Sequence, residues 1–595
     1  MKLQEEAAGK SRHLVKIRPF LDRLSMYSNV IGTFVQAKPE ILALIWGPLQ
    51  LLLQWSSQMT SALDKVVLIL VEVGHALPHV ELMSGTFGAS DTVKALMALF
   101  YEDILDFYRV NFDFFRKPRW QQMLDALWDS HLLKLNVVVA NLKQHSALLR
   151  DEVTLLDIQE AHENRIRSLA HFEETNIFQQ SQKFFSLRDR ISVNMYDDRL
   201  DWIRNRSVPG CEEWLLVDTY FCEWQGGVND ANNKPTVWLW LHGIPGSGKT
   251  YLCGAAIDHL RQTLKKQTLF VFLSCANNAN QTALSVLQSF VFQAAEDDID
   301  LQAVLNDATE RELRGNTGYV LDLFKTWLLG AGPTLCVMDG LDEMDRDERQ
   351  ILLQRLDELT KACSELRLLI CSQSEADISR VLERKAAGIQ VNKRNSGSIQ
   401  AYINTRSDNW ISNRRFDSKL GLELRELLSP LSAKADGMFL FARIILDSVD
   451  EISIDEIRRE LKAMPNDLNE AYQRIFDRIN GMSSRRREKS RKVLGWIGCA
   501  PIPMTIFEME QALLIDTDPE RTAWISTGIA TQDFISLCGP LIEIVDGKLQ
   551  FVHFTVRDYI FGRQIPNHIN EGGSDARFGS SISSLPCIGF TRSRP

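Results

Sequence analysis

Residues 237–250 read VWLWLHGIPGSGKT. Five apolar residues, 237–241, have the length and composition of a buried strand, and residues 251–264 return with helical spacing. Between them lies Gly243-Ile244-Pro245-Gly246-Ser247-Gly248-Lys249-Thr250, a strand-to-helix turn of the P-loop type. The chemistry explains the glycines: a tight loop must aim several backbone N–H groups at one anion, and side chains would block that approach. Gly243, Pro245, Gly246, Ser247, Gly248, Lys249 and Thr250 are therefore the expected nucleotide-binding residues. Lys249 carries a point charge toward the β and γ phosphates, the Thr250 hydroxyl is placed to ligate Mg²⁺, and the helix N-terminus adds its own positive end.

A phosphate cradle needs a metal-holding acid. Residues 335–343, LCVMDGLDE, supply one: four apolar residues of a buried strand end in Asp339, followed by Asp342 and Glu343. Three acids within five positions repel one another unless a cation sits among them, which points to Mg²⁺ held by Thr250 and Asp339. Outward from these two motifs, residues 268–274 and 366–372 read as further buried strands, and 282–295, 319–329 and 345–361 as helices. Alternating strands and helices predict a parallel sheet with helices on its faces and ligands at the strands' carboxyl ends.

The run of four hydrophobics, Asp339, Gly340, a hydrophobic, Asp342 and Glu343 resembles the extended Walker B of NACHT nucleotide-binding domains. That resemblance implies ATP/ADP with Mg²⁺ as ligands, and a catalytic pair in which Asp342 polarises water with Glu343 as its neighbour. Relatives carry a Ser-Arg pair after the next strand, where this chain has Ser372-Gln373. A neutral amide cannot offset charge developing on a phosphoryl group, so binding with slow or absent hydrolysis is expected. Residues 434–442, KADGMFLFA, are similar to a helix of the same families, and 551–559, FVHFTVRDY, to an element of their winged helix. By that resemblance His553 reaches the β-phosphate of ADP; on the residues alone an ordinary core histidine is an equal reading. The aromatic lead-in with Trp214 and Trp224 is similar to the segment before the P-loop in nephrocystin-like NACHT proteins, where it packs near the base; simple core filling is the other reading.

The flanking regions are helical. Residues 40–55, 62–76 and 93–115 are apolar over wide faces and must bury one another as a bundle. Pro39, Ala43, Ile45, Trp46 and Gly47 match a helical domain of unknown function found in fungal NACHT proteins. A membrane-perturbing effector and a docking bundle are the two readings of this domain, and wide apolar faces favour the second. The expected architecture is multidomain α and α/β. A helical bundle over 1–145 and a connecting arm over 146–206 precede a NACHT P-loop NTPase with a parallel sheet over 207–385. A helical domain over 386–480, a winged helix over 481–565 and a disordered tail over 566–595 follow.

With 45% hydrophobic and 24% charged residues the composition is that of globular domains, and a net charge of −10 disfavours a protein built to bind nucleic acid. The ten cysteines form no CxxC pair, no apolar run is long enough to span a bilayer, and no signal peptide is evident, so a cytoplasmic protein is expected. No repeat sensor of the kind relatives carry is visible, which leaves a chain lacking one or a short form working with a partner. The predicted function is a STAND-type switch that self-associates on activation and engages an unknown protein through its bundle, with a fungal nonself or incompatibility output. Two alternatives stay open. The Gly-x-Pro-Gly-x-Gly-Lys loop also resembles adenylate-kinase-like phosphotransferases. The wing and the basic run around Arg485 fit a DNA-associated AAA-type ATPase, although such a run is usually a solvated helix face.

Overall fold

The structure, a computed structural model, describes residues 60–76, 91–115, 124–148, 155–226, 236–274, 281–414, 416–449, 454–500, 502–513, 534–545 and 547–562. The expected helix at 40–55, the motif at 39–47 and the tail at 566–595 lie outside them. Two compact units emerge: residues 1–193 with 291–332, and residues 194–290 with 333–595.

The first unit is helical. Thr60–Ala76, Asp91–Phe115, Leu124–Ala147 and Leu155–Ile191 are its long elements. In the second of these Leu99, Phe100, Ile104, Phe107 and Tyr108 are all buried, three and four residues apart on one stripe. Some polar groups admitted to this interior are paired, while Tyr108 Oη and Asp103 Oδ1 are buried without a hydrogen-bond partner. His145 Nδ1 lies 2.6 Å from Asp103 Oδ2, and His131 Nε2 lies 3.3 Å from Asn111 Oδ1. The connecting arm expected over 146–206 divides in two: one helix continues to Ile191, and the next is Asp197–Arg206. Between them Ser192 takes a φ of 59°, which ends the regular helix. Three helices that follow the second strand, Ile299–Asp307, Glu310–Gly315 and Thr317–Ala331, belong to this unit. Gln302 accepts from Ser181 at 3.2 Å and Asn306 donates to Gln180 at 2.8 Å, which fastens them to the long helix.

The second unit holds a five-stranded parallel sheet. Its strands are β1 (Trp238–His242), β2 (Gln267–Phe272), β3 (Thr334–Asp339), β4 (Leu366–Ser372) and β5 (Ala386–Gln390), in the order β2-β3-β4-β1-β5. β4 therefore lies between the P-loop strand and the Asp339 strand. The register aligns His242 with Ser372 and Cys371 with Asp339, so three strand ends finish level under the glycine loop. Leu239, Leu241, Val337, Leu369 and Cys371 face Leu252, Cys253, Ala256 and Ile257 of the P-loop helix in one apolar core. Leu200 and Ile203 of Asp197–Arg206 join that core, so the end of the expected arm is part of the nucleotide domain.

The wing is a second sheet, β6-β8-β7, made of β6 (Met504–Thr505), β7 (Ile542–Val545) and β8 (Lys548–Phe551), with the turn at Gly547 in a left-handed conformation. The expected helical and winged-helix segments share a core running from Ile399 through Leu440, Phe441 and Tyr472 to Val556. Among the described residues no helix is long and apolar enough to cross a membrane. The basic run is partly spent inside the domain: Arg486 and Arg487 donate to the carbonyls of Ser536 and Asn480, and Lys492 pairs with Glu488 at 3.4 Å.

Candidate functional site

The ends of β1, β3 and β4 open into a cavity of about 1060 Å³ within the second unit. Pro245, Gly246, Gly248, Lys249, Thr250, Asp339, Asp342, Glu343 and His553 all line it, although they are spread over more than three hundred positions of sequence. Of the expected site residues, Gly243 and Ser247 form the inner side of the loop.

The loop is shaped by contact as well as by composition. Gly246 has a φ of 71°, and a Cβ there would come within 2.5 Å of Leu440 Cβ. The Leu440 N–H donates to Gly246 O at 3.2 Å, so the start of helix Phe439–Val449 rests on the glycine loop. Gly437, at φ 81°, turns the chain into that helix, and a Cβ there would lie 2.3 Å from Asn392 O. Buried Asn395 bridges the two parts, donating to Ser247 O at 2.9 Å and to Gly437 O at 2.8 Å.

Several groups in the cradle lack a partner of their own kind. Lys249 Nζ donates to the Gly243 and Ile244 carbonyls, each at 3.0 Å. Burial lowers its pKa, and Asp342 and Asp339 hold it back up. Ser247 Oγ is buried with no hydrogen-bond partner. A buried ammonium with only carbonyl partners and an unsatisfied hydroxyl are groups that a polyphosphate would satisfy. Behind them the Asp339 carboxyl is pushed up to about 6 by burial, against the Thr250 hydrogen bond and the Lys249 charge. Cys253 and Cys371 stand beside it, their sulfurs 3.5 Å apart. Burial raises both thiols and keeps them protonated, so the anionic donor there is Asp339, with the Thr250 hydroxyl next to it. Oxygen donors of this kind suit Mg²⁺.

Gln373 directly follows the end of β4. Its backbone N–H donates to Asp342 Oδ1 at 3.0 Å and its side-chain amide to Oδ2 at 2.8 Å. Both oxygens of Asp342 are thus engaged, while Glu343 lies in the same 3₁₀ turn at the cavity wall.

His553 closes the cavity from the opposite side as the N-cap of helix Phe554–Phe561. Its Nδ1 accepts from the Thr555 N–H at 3.3 Å and meets Thr555 Oγ1 at 2.9 Å, and Tyr472 OH holds that hydroxyl at 2.9 Å. With Nδ1 accepting, the neutral ring carries its proton on Nε2, a donor left for the cavity. The ring is half-buried at the cavity wall, and its pKa is pushed down to about 3 by burial together with the charges of Lys249 and Arg443.

Of the two lead-in tryptophans, Trp224 is wholly core, whereas Trp214 lines the cavity. Other wall residues carried no sequence signal. Trp202 lies between the guanidinium groups of Arg199 and Arg206, 4.0 and 4.5 Å from its ring, and Arg443 pairs with Glu543 at 2.9 Å. The stretch 197–206, DDRLDWIRNR, shows an aromatic among basic residues, and that pattern alone could have drawn notice.

Comparison with known proteins agrees with this geometry. Residues 210–373 match the family "Nephrocystin 3, N-terminal", 16–161 the "Domain of unknown function (DUF7708)", and 476–567 the "GPI inositol-deacylase, winged helix domain". Vegetative incompatibility protein HET-E-1 of Podospora anserina is 22% identical over 403 residues. The chain is similar to fungal NACHT-type STAND P-loop NTPases. The match to HET-E-1 takes in 64% of this chain but 28% of that relative, so the chain spans under a third of its relative's length. Among solved structures, the Aeropyrum pernix Orc1 protein in complex with DNA is 13% identical, with 59% of this chain and 92% of that one covered and a TM-score of 0.29. Cdc6p of Pyrobaculum aerophilum is 12% identical, with 60% and 85% covered and a TM-score of 0.27. Overlaps of that extent do not define a shared fold. The NACHT similarity is carried by the loop, the Asp339 strand and the family matches.

Proposed function

We propose that this chain is a cytoplasmic nucleotide-gated switch, closed with ADP and opened when ATP takes its place, with slow or no hydrolysis. The observation that carries this reading is the single cavity in which the glycine loop, Asp339 and winged-helix His553 converge. Lys249, the loop N–H groups and His553 Nε2 would hold the phosphates, and Thr250 with Asp339 would hold Mg²⁺. When bound, Mg²⁺ offsets phosphate charge. Asp342 is the acid that would orient water, but both of its oxygens are already engaged by Gln373, which supports slow turnover.

Moving a two-state population from 1:99 to 99:1 takes about 5.5 kcal/mol, whereas one charge-assisted hydrogen bond such as His553 to phosphate supplies roughly 1.5–3. The nucleotide alone does not suffice. The Asn395 and Leu440 bonds to the loop and the shared helical and winged core supply the remainder. Opening would free surfaces for self-association and gather N-terminal bundles onto a protein target, with an incompatibility or nonself-recognition signal as output. The test is nucleotide extraction from purified protein. ADP should accompany the wild type, be absent from Lys249→Ala and be depleted in His553→Ala; equal retention in all three would remove both residues from the site.

A further inference from the structure

One wall of the cavity is an unbroken chain of alternating charge. Arg406 Nη2 lies 2.5 Å from Asp447 Oδ1, and Asp447 Oδ2 lies 3.5 Å from Arg443 Nε. Arg443 Nη2 is 2.9 Å from Glu543 Oε2, and Arg206 Nη1 reaches the same oxygen at 3.0 Å. All five side chains face the cavity that Lys249, Thr250, Asp339 and His553 share. The chain has three cations and two anions, so it presents a surplus positive charge toward the loop. Its members come from four places: Arg206 from the helix before the nucleotide domain, Arg406 from helix Ser396–Asn413, Arg443 and Asp447 from the helix resting on the glycine loop, and Glu543 from β7 of the wing.

Arg443 is the pivot. It begins one turn beyond Leu440, whose N–H is bonded to Gly246, and it holds the carboxylate of a wing residue that is only 9% exposed. A buried carboxylate stripped of its one cation would be costly. Glu543 is not in that position: if Arg443 moved away, Arg206 would stay at 3.0 Å, and Gln550 Nε2 donates to its other oxygen at 2.9 Å. Arg443 in turn keeps Asp447 on its own helix. Both ends of the Arg443–Glu543 pair therefore stay satisfied when it separates, which makes it a low-cost exchange. Gln373, its amide engaged by Asp342, brings no charge to the sheet side of the cavity, where Lys249 is the cation of the loop.

We propose that Arg443 is the residue that distinguishes a nucleoside triphosphate from a diphosphate, leaving Glu543 for the terminal phosphate and so untying the wing from the helix on the loop. This rests on the switch reading above and names the group that senses the extra phosphate. Each phosphate adds about one negative charge. With a diphosphate, Lys249, His553 and the loop balance the ligand and Arg443 remains with Glu543. With a triphosphate, the further charge competes with Glu543 for the guanidinium. The neighbouring charges that set this competition are Lys249, Arg206, Arg406, Asp447, Glu543 and the acids Asp339, Asp342 and Glu343.

The test is calorimetric affinity for Mg²⁺–ADP and for a slowly hydrolysed triphosphate, Mg²⁺–ATPγS, on the full chain, with thermal melting as a check on folding. Arg443→Gln should weaken ATPγS about tenfold or more and ADP less than about threefold, as expected when one charge-assisted bond is lost. Arg443→Lys should recover part of the ATPγS affinity. Glu543→Gln, which removes the competitor, should shift the ATPγS-to-ADP preference the other way, by about threefold or more. A purely structural role would move both nucleotides together, and an unchanged preference in Arg443→Gln and Glu543→Gln overturns the proposal. If Arg443→Gln fails to fold, Glu543→Gln decides alone. Loss of all nucleotide binding in the wild type would instead overturn the switch reading itself, whereas wild-type binding abolished by Lys249→Ala, with preference unaltered at 443 and 543, sinks only this inference.

Discussion

Two histidines of this molecule, one buried and one half-buried, keep opposite electrical company. In the helical unit His145 meets a carboxylate: its Nδ1 lies 2.6 Å from Asp103, and both side chains are almost fully enclosed. In the winged helix His553 meets a hydroxyl and an N–H at Nδ1, while Lys249 and Arg443 press positive charge on it. In the first site burial raises the Asp103 carboxyl and the bond to His145 pulls it part of the way back, while Asp103 Oδ1 is buried without a partner. The second lacks an anion. On the proposed switch reading, a half-buried histidine among cations at a cavity wall is a place for a phosphate, whereas a histidine already matched to a carboxylate belongs to a core. The difference separates function from packing where residue type does not.

Breaking each pair sharpens the contrast. Asp103→Ala should cost the helical unit about 3–5 kcal/mol, because it leaves a buried partner uncompensated, and Asp103→Asn clearly less. Denaturant unfolding measures this, and nucleotide affinity should not follow it. His553→Ala should do the reverse: ADP affinity falls by roughly 1.5–3 kcal/mol, about ten- to a hundredfold, with a modest change in melting. Comparable losses of stability in both variants would erase the distinction.

The smallest effect is in pH. As pH falls from about 6.5 toward 3, the unfolded chain binds a proton that native His553 refuses, so stability is lost. Asp339 runs the opposite way: as pH falls from about 6 toward the ordinary carboxylate range, the native state binds a proton first, which adds stability. His553→Gln removes the first contribution and keeps the second. Between pH 7 and 4.5 the variant should lose less stability than the wild type, by about 1–2 kcal/mol. Melting curves across that range give the answer, and parallel curves would mean that His553 is not held neutral by its surroundings.

The nucleotide domain was largely readable beforehand because its determinants are local. A run of buried hydrophobics, a glycine turn and a helix are contiguous in 237–264, and the Asp339 strand announces itself by four apolar residues ending in an acid. β4 was found at its observed bounds for the same reason. β5, Ala386–Gln390, was not, since AAGIQ has neither alternation nor a long apolar run and is held in place by pairing with β1. Likewise nothing in the neighbourhood of Asn395 marks it as the clamp between Ser247 and Gly437, and nothing around Gln373 says that it fastens both oxygens of Asp342. Those contacts join residues 31 to 148 positions apart, and no local pattern encodes them.

By itself the order of residues determined the chemistry of the loop, the strands that carry it and the helical character of the flanks, because backbone conformation and phosphate affinity there depend on neighbours within one turn or one strand. Only the tertiary structure decided that the end of helix 197–206 belongs to the nucleotide domain, that helices 299–331 join the first unit, and that Arg206, Arg443 and Glu543 meet at one wall. Charges of opposite sign attract through space at a few ångströms regardless of their separation along the chain, so which carboxylate a guanidinium finds is settled by packing and not by spacing.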